Sequence, residues 1–295
     1  STAGDVNGDG FDDLIVGAPN ADSNDFGSGS SYVVFGKASG FSAAMDLSSL
    51  NGSNGFRLDG VANRDYSGES VSTAGDVNGD GFDDVIVGAT RADPNGESSG
   101  SSYVVFGQAS GFSATMDLSS LNGSNGFRLD GVTADIYSSE SISNAGDVNG
   151  DGFDDLIVGA PFAVSNGYHS GSSYVVFGKA FGFSATMDLS TLDGNNGFRL
   201  DGEAAGDWSG ISVSTAGDVN GDGFDDLIVG APRDDSNGSI SGASYVVFGK
   251  ASGFSATMDL SSLNGNNGFR LDGEGNNYSG GSVSTAGDVN GDGFD

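Results

Sequence analysis

Residues 76–84 read Asp76-Val77-Asn78-Gly79-Asp80-Gly81-Phe82-Asp83-Asp84. The same nine residues begin at Asp5, Asp147 and Asp218, and a fifth copy begins at Asp288 and runs to Asp295, one residue short. The first three intervals are 71 residues and the last is 70. A fixed long period means stacked or radially arranged copies of one supersecondary unit. The units run 1–71, 72–142, 143–213 and 214–283, and residues 284–295 repeat residues 1–12 letter for letter.

Outward from the acidic stretch, each unit carries four strand signals, here called A to D. In the second unit, Ser70 to Ala74 alternates small and apolar residues and leads into the stretch as A. Asp84-Val85-Ile86-Val87-Gly88-Ala89 follows as B, a dense apolar run of the kind found in buried strands. Ser102 to Gly107 is rich in aromatic and β-branched residues and gives C. Gly126-Phe127-Arg128-Leu129-Asp130-Gly131 alternates between bounding glycines and gives D. The C–D connection holds Met116-Asp117-Leu118-Ser119-Ser120-Leu121, which reads as one helical turn with Asp117 near its N-terminus. Four antiparallel strands per unit, repeated radially, is the pattern of an all-β propeller built from four-stranded blades. A parallel β-helix is the alternative, but its coils are much shorter than 71 residues.

Within the stretch, oxygen-bearing side chains alternate, a glycine permits the sharp turn, and a carboxylate closes the loop. Six to eight hard oxygen ligands suit calcium. The spacing assigns as ligands Asp5, Asn7, Asp9, the Phe11 carbonyl and Asp13 in the first loop. The second offers Asp76, Asn78, Asp80, Phe82 and Asp84. The third offers Asp147, Asn149, Asp151, Phe153 and Asp155, and the fourth Asp218, Asn220, Asp222, Phe224 and Asp226. The fifth keeps Asp288, Asn290 and Asp292 but lacks the closing residue, so four calcium ions are expected and the fifth loop is expected to be weak or empty. Asp12 lies between two ligand positions and is expected to face solvent. An EF-hand is excluded, because position twelve holds Val16 instead of a bidentate glutamate. Asp-Gly and Asn-Gly pairs are also good turn formers, but turn formation alone does not call for three carboxylates and an amide in nine residues, four times over.

Composition narrows the partners. Net charge is -31, with ten basic residues, which argues against nucleic acid. No stretch has the roughly 18–20 apolar residues of a membrane-spanning helix. There is no cysteine, and His169 is the only histidine, so thiol chemistry and any histidine chemistry recurring in each unit are excluded. No Gly-x-Ser-x-Gly elbow or recurring nucleophile–base pair is present, and the chain reads as no enzyme.

A second element recurs: Gly17-Ala18-Pro19, Gly159-Ala160-Pro161 and Gly230-Ala231-Pro232, with Gly88-Ala89-Thr90 departing from it. An aromatic residue precedes a small pair at Tyr66-Ser67-Gly68, Tyr137-Ser138-Ser139, Trp208-Ser209-Gly210 and Tyr278-Ser279-Gly280. With the acidic loops, these elements make the units resemble the FG-GAP repeats of integrin α-subunit propellers and their bacterial relatives. The resemblance covers the whole chain. It implies a calcium-binding extracellular or cell-surface module of bacterial type, used for adhesion or ligand binding. Propellers of this family typically close with seven blades, so four units are expected to be an excerpt of a longer array. Chains assembling into a ring or fibre are the alternative, and with it a purely structural role.

Antiparallel order puts the A–B and C–D loops at one end of a blade and the B–C and D–A loops at the other. The copies differ mainly in Asn20–Ser28, Arg91–Ser99, Phe162–Ser170 and Arg233–Ser241, and in the segments after D. Both sets fall opposite the acidic loops. A protein or glycan ligand is therefore expected on that end. Arg57, Arg128, Arg199 and Arg270 recur within D and are expected to pair with acidic neighbours.

Overall fold

A computed structural model describes all 295 residues. It contains four antiparallel sheets whose strands follow A–B–C–D in chain order. Strands A to D are Thr2–Gly4, Asp13–Ala18, Ser30–Val34 and Gly55–Asp59 in the first sheet. They are Ser70–Gly75, Asp84–Ala89, Ser101–Val105 and Gly126–Asp130 in the second. The third has Ser141–Gly146, Asp155–Ala160, Ser172–Val176 and Gly197–Asp201. The fourth has Ser212–Gly217, Asp226–Ala231, Ala243–Val247 and Gly268–Asp272. The all-β architecture of four-stranded blades is the propeller expected from the period. The sheets pack in chain order, with strand A of each against strand A of the next.

The core lies between sheets. One cluster joins Ile15, Val33, Phe56 and Leu58 of the first sheet to Val85, Val87, Tyr103 and Val105 of the second. Two further clusters fill the second and third junctions. A sheet covered on both faces needs apolar side chains on both, so its central strand reads as a continuous run instead of an alternation. Asp84–Ala89 and Asp155–Ala160 are accordingly buried at every residue. The same strand in the first sheet has one open face, and there Leu14 and Val16 are exposed.

The first three sheets also borrow from the next repeat. Thr115–Asp117, Thr186–Asp188 and Thr257–Asp259 form short strands in the C–D connections. Each pairs in parallel with strand D of the preceding sheet, as Arg57↔Thr115 and Asp59↔Asp117. The Asn24 side chain donates to Asp117 Oδ2 at 2.8 Å, and Asn95 and Asn166 make the same bond to Asp188 and Asp259. Phe112, Phe183 and Phe254, from the same connections, stack on Phe56, Phe127 and Phe198 with centroids 4.5–4.7 Å apart. The expected helical turn is a 3-10 turn at Leu118–Ser120, with the Asp117 carboxylate accepting from the Ser119 N–H. The crossing strand just before it is not among the four strand signals.

The arginines of strand D pair two residues along their own strand, Arg57–Asp59, Arg128–Asp130, Arg199–Asp201 and Arg270–Asp272, each at 2.6 Å. No helix is long and apolar enough to cross a membrane.

Candidate functional site

The acidic loops share one conformation. In the second, Asp76 Oδ1 accepts from the Asp80 N–H at 3.0 Å and Oδ2 from the Gly81 N–H at 2.9 Å. Asn78 Oδ1 accepts from the Asp80 N–H, and Asp80 Oδ1 from the Phe82 N–H. The closing residue, Asp84, is fully buried: Oδ2 accepts from the Val77 N–H at 3.1 Å and Oδ1 from the Gly107 N–H at 2.9 Å. It therefore ties the loop to the end of strand C. Asp13, Asp155 and Asp226 make the same two bonds in their loops. Asp5, Asp147 and Asp218 hold their loops as Asp76 does, and Asp9, Asp151 and Asp222 repeat the Asp80 bond. Asn149 and Asn220 repeat the Asn78 bond. The fifth copy keeps the turn through Asp288 and Asp292.

As the side chains are placed, no three of these carboxylates converge on a common point. The donor set still suits a hard cation in kind, since every proposed ligand is oxygen. A carboxylate oxygen has two lone pairs, and each oxygen of the closing aspartate spends one on an amide. Burial pushes Asp84 and Asp155 up to about 8, and Asp13 and Asp226 up to about 6, against the amide bonds that lower them. A divalent ion at the loop would offset that desolvation.

Asp12 is exposed, as expected, but its counterparts in the later loops do not simply face solvent: each reaches the preceding loop. Asp83 Oδ2 accepts from the Asp5 N–H at 2.7 Å, Asp154 from that of Asp76 and Asp225 from that of Asp147, both at 2.8 Å. The adjacent phenylalanines, proposed for their carbonyls, turn their rings onto the preceding loop as well. Phe82, Phe153 and Phe224 cover Gly8, Gly79 and Gly150, where a Cβ would overlap the ring. The loops thus interlock from one repeat to the next.

The other end is built from aromatic residues in an unusual conformation. Tyr66, Tyr137, Trp208 and Tyr278 have φ of 54°, 48°, 58° and 53°, in the left-handed region that costs a non-glycine residue about 1–2 kcal/mol. In three junctions the second residue after the next strand B meets that ring. The Arg91 guanidinium lies 4.9 Å from the Tyr66 centroid, and that of Arg233 lies 3.6 Å from the Trp208 centroid. Phe162 meets Tyr137 edge-on at 5.5 Å and also Trp208 at 5.4 Å. His169 lies against Phe162 at 5.0 Å and under Tyr168 at 3.7 Å. A cavity of about 630 Å³ opens among these loops, with Glu69, Thr90, Asp135 and Glu140 in its walls. Glu69, Thr90 and Glu140 were not singled out as binding residues. Their signal was available, since Thr90 breaks the repeat and the glutamates occur in only two of its four copies.

Stacked four-stranded sheets with an acidic A–B loop in each define a repeat β-propeller. Residues 1–34, 67–105, 140–176 and 209–247 match the FG-GAP repeat, and the chain belongs to that family, in its integrin α-like form. It is 33% identical to integrin alpha-PS5 of Drosophila melanogaster over 57% of the chain. It is 33% identical to integrin alpha-4 of Xenopus laevis over 58%, and 29% identical to integrin alpha-V of Gallus gallus over 77%. The matches span 15%, 15% and 19% of those proteins.

Proposed function

We propose that the chain is a calcium-braced binding module of an extracellular or cell-surface protein, which engages a protein or glycan ligand for adhesion at the end opposite its acidic loops. The observation that carries this reading is the division of labour between the two ends. One end repeats the same bonds in every loop. The other gathers the repeat-breaking residues around a cavity. Calcium is the proposed brace in the four complete loops, through the aspartates, asparagines and phenylalanine carbonyls named above. At calcium tenfold above Kd, each site would add about 1.4 kcal/mol of stability, and extracellular sites of this kind bind at about 10⁻⁴ to 10⁻³ M.

Thermal melts of EDTA-treated protein test the brace. Stripping should lower Tm by at least about 5 °C, since 1 kcal/mol moves a domain of this size by a few degrees. Readdition of calcium should restore it, and magnesium should do so less well. A melt indifferent to EDTA and calcium would refute the calcium assignment. A purely structural array is the second reading, favoured by the Asp83, Asp154 and Asp225 bonds between loops; it expects no ligand at the variable end.

A further inference from the structure

A chain that repeats every 71 residues supplies its own control, because each position has three counterparts. Glu69 and Glu140 stand where the later repeats have Ile211 and Gly281. Thr90 replaces a proline found at Pro19, Pro161 and Pro232. Phe162 replaces Asn20, Arg91 and Arg233, and Tyr168-His169 replaces Phe26-Gly27, Glu97-Ser98 and Ser239-Ile240. These departures come from four separate loops, yet all line the same cavity of about 630 Å³. Independent drift in surface loops would scatter them.

The walls set the ligand's chemistry. Glu69, Asp135 and Glu140 in a chain of net charge -31 repel an anion. Arg91 shares the cavity and its charge acts on Glu140, so the walls carry strong donors beside strong acceptors. That mixture fits a neutral ligand with many hydroxyls. Carboxylates accept from paired hydroxyl groups, while Arg91, Thr90 and the Tyr137 hydroxyl can donate to ligand oxygens. The Phe162–His169–Tyr168 group offers rings for an apolar C–H face, and Tyr168 is 73% exposed at its outer edge. Thr90 Oγ1 already donates to Glu69 Oε2, which fixes one acceptor in place. Few polar groups fixed around aromatic walls is the usual make-up of a small-ligand site.

Resting on the reading of this end as the binding face, we infer that the cavity between the second and third sheets binds a neutral sugar unit of a glycan. Trp208, the only tryptophan, has its ring 5.4 Å from Phe162 and reports on the site by fluorescence. The 295-residue chain is titrated with methyl glycosides of glucose, galactose, mannose and N-acetylglucosamine and with their linear trisaccharides, by Trp208 emission and calorimetry. At least one member should bind with Kd below about 1 mM. Tyr168→Ala and Glu140→Gln should each weaken it at least tenfold without moving the melt, and Tyr278→Ala, at the far junction, should leave it unchanged. The inference falls if no member binds up to about 10 mM, or if binding survives both cavity variants. A lysine-rich peptide and dextran sulfate run in parallel. If either binds and is lost in Tyr168→Ala, the neutral-sugar assignment falls while the binding face stands. If no probe responds to the cavity variants, both fall.

Discussion

The two ends of the sheets are made from the same repeat but obey different rules. At the acidic end the four complete loops use the same aspartates for the same bonds, and each loop is locked to its neighbour by an aspartate and a phenylalanine. At the opposite end the backbone conformation repeats, with an aromatic residue at positive φ in every unit, but the residues around it change. One end is held constant because a change there would disturb two repeats at once. The other keeps only its backbone constant, which leaves side chains free to diverge.

The strongest challenge to that contrast is Asp155→Ala. The substitution leaves the buried Val148 and Gly178 amides without acceptors and should cost about 3 kcal/mol in a urea denaturation series. A loss below about 1 kcal/mol would mean that uniformity at this end does not reflect stability. Two neighbouring glycines sharpen the point at a smaller scale. Gly79 and Gly81 both have positive φ, 71° and 87°, but only Gly79 lies under the Phe153 ring. Gly79→Ala should therefore cost about 2–3 kcal/mol and Gly81→Ala about 1, the strain of the left-handed backbone alone. Equal losses would show that the ring-on-glycine contact contributes nothing.

The smallest effect belongs to the variable end. Burial pushes Asp207 up to about 6, helped by the charges of Asp234, Glu203 and Asp235 and opposed by the Ala204 N–H. The folded protein thus holds this proton more tightly than the unfolded chain. Its contribution is fully present below the ordinary aspartate range and is lost as pH rises through about 6. Asp207→Asn should abolish that dependence, so the variant gains on the wild type between pH 4 and 6 by about 1 kcal/mol once solvent screening is allowed for. Parallel stability–pH curves for the two proteins would contradict it.

Much of the fold was legible because it is local. Strand B announces itself in Asp84–Ala89, and the 3-10 turn in the Asp117-Leu118-Ser119 order. The Arg128–Asp130 pair follows from two-residue spacing on one strand face. What escaped depends on partners in another repeat. Thr115–Asp117 has no strand signature of its own, since three residues become a strand only when Gly55–Asp59 offers its edge. The Asp83 carboxylate meets an amide 78 residues away, and alternation within its own loop points the wrong way. The positive φ of Tyr66, Tyr137 and Trp208 also had no local cue, because aromatic residues rarely adopt it. On the candidate site, residue types and spacing pointed to an oxygen-only donor set, whereas the variable-end cavity needs four loops folded together before its glutamates meet its rings.

The crossing strands have a consequence for how the protein is made. Each of the first three sheets takes its last strand from residues translated some 56 positions after its own strand D, as Thr115 does for Gly55–Asp59. A nascent chain therefore leaves its newest sheet unfinished until part of the next repeat has emerged. Completion passes from the N-terminus onward, one repeat behind synthesis. The hydrogen bonds that finish one unit are the same bonds that seat its successor, so neighbours are coupled at the moment they form.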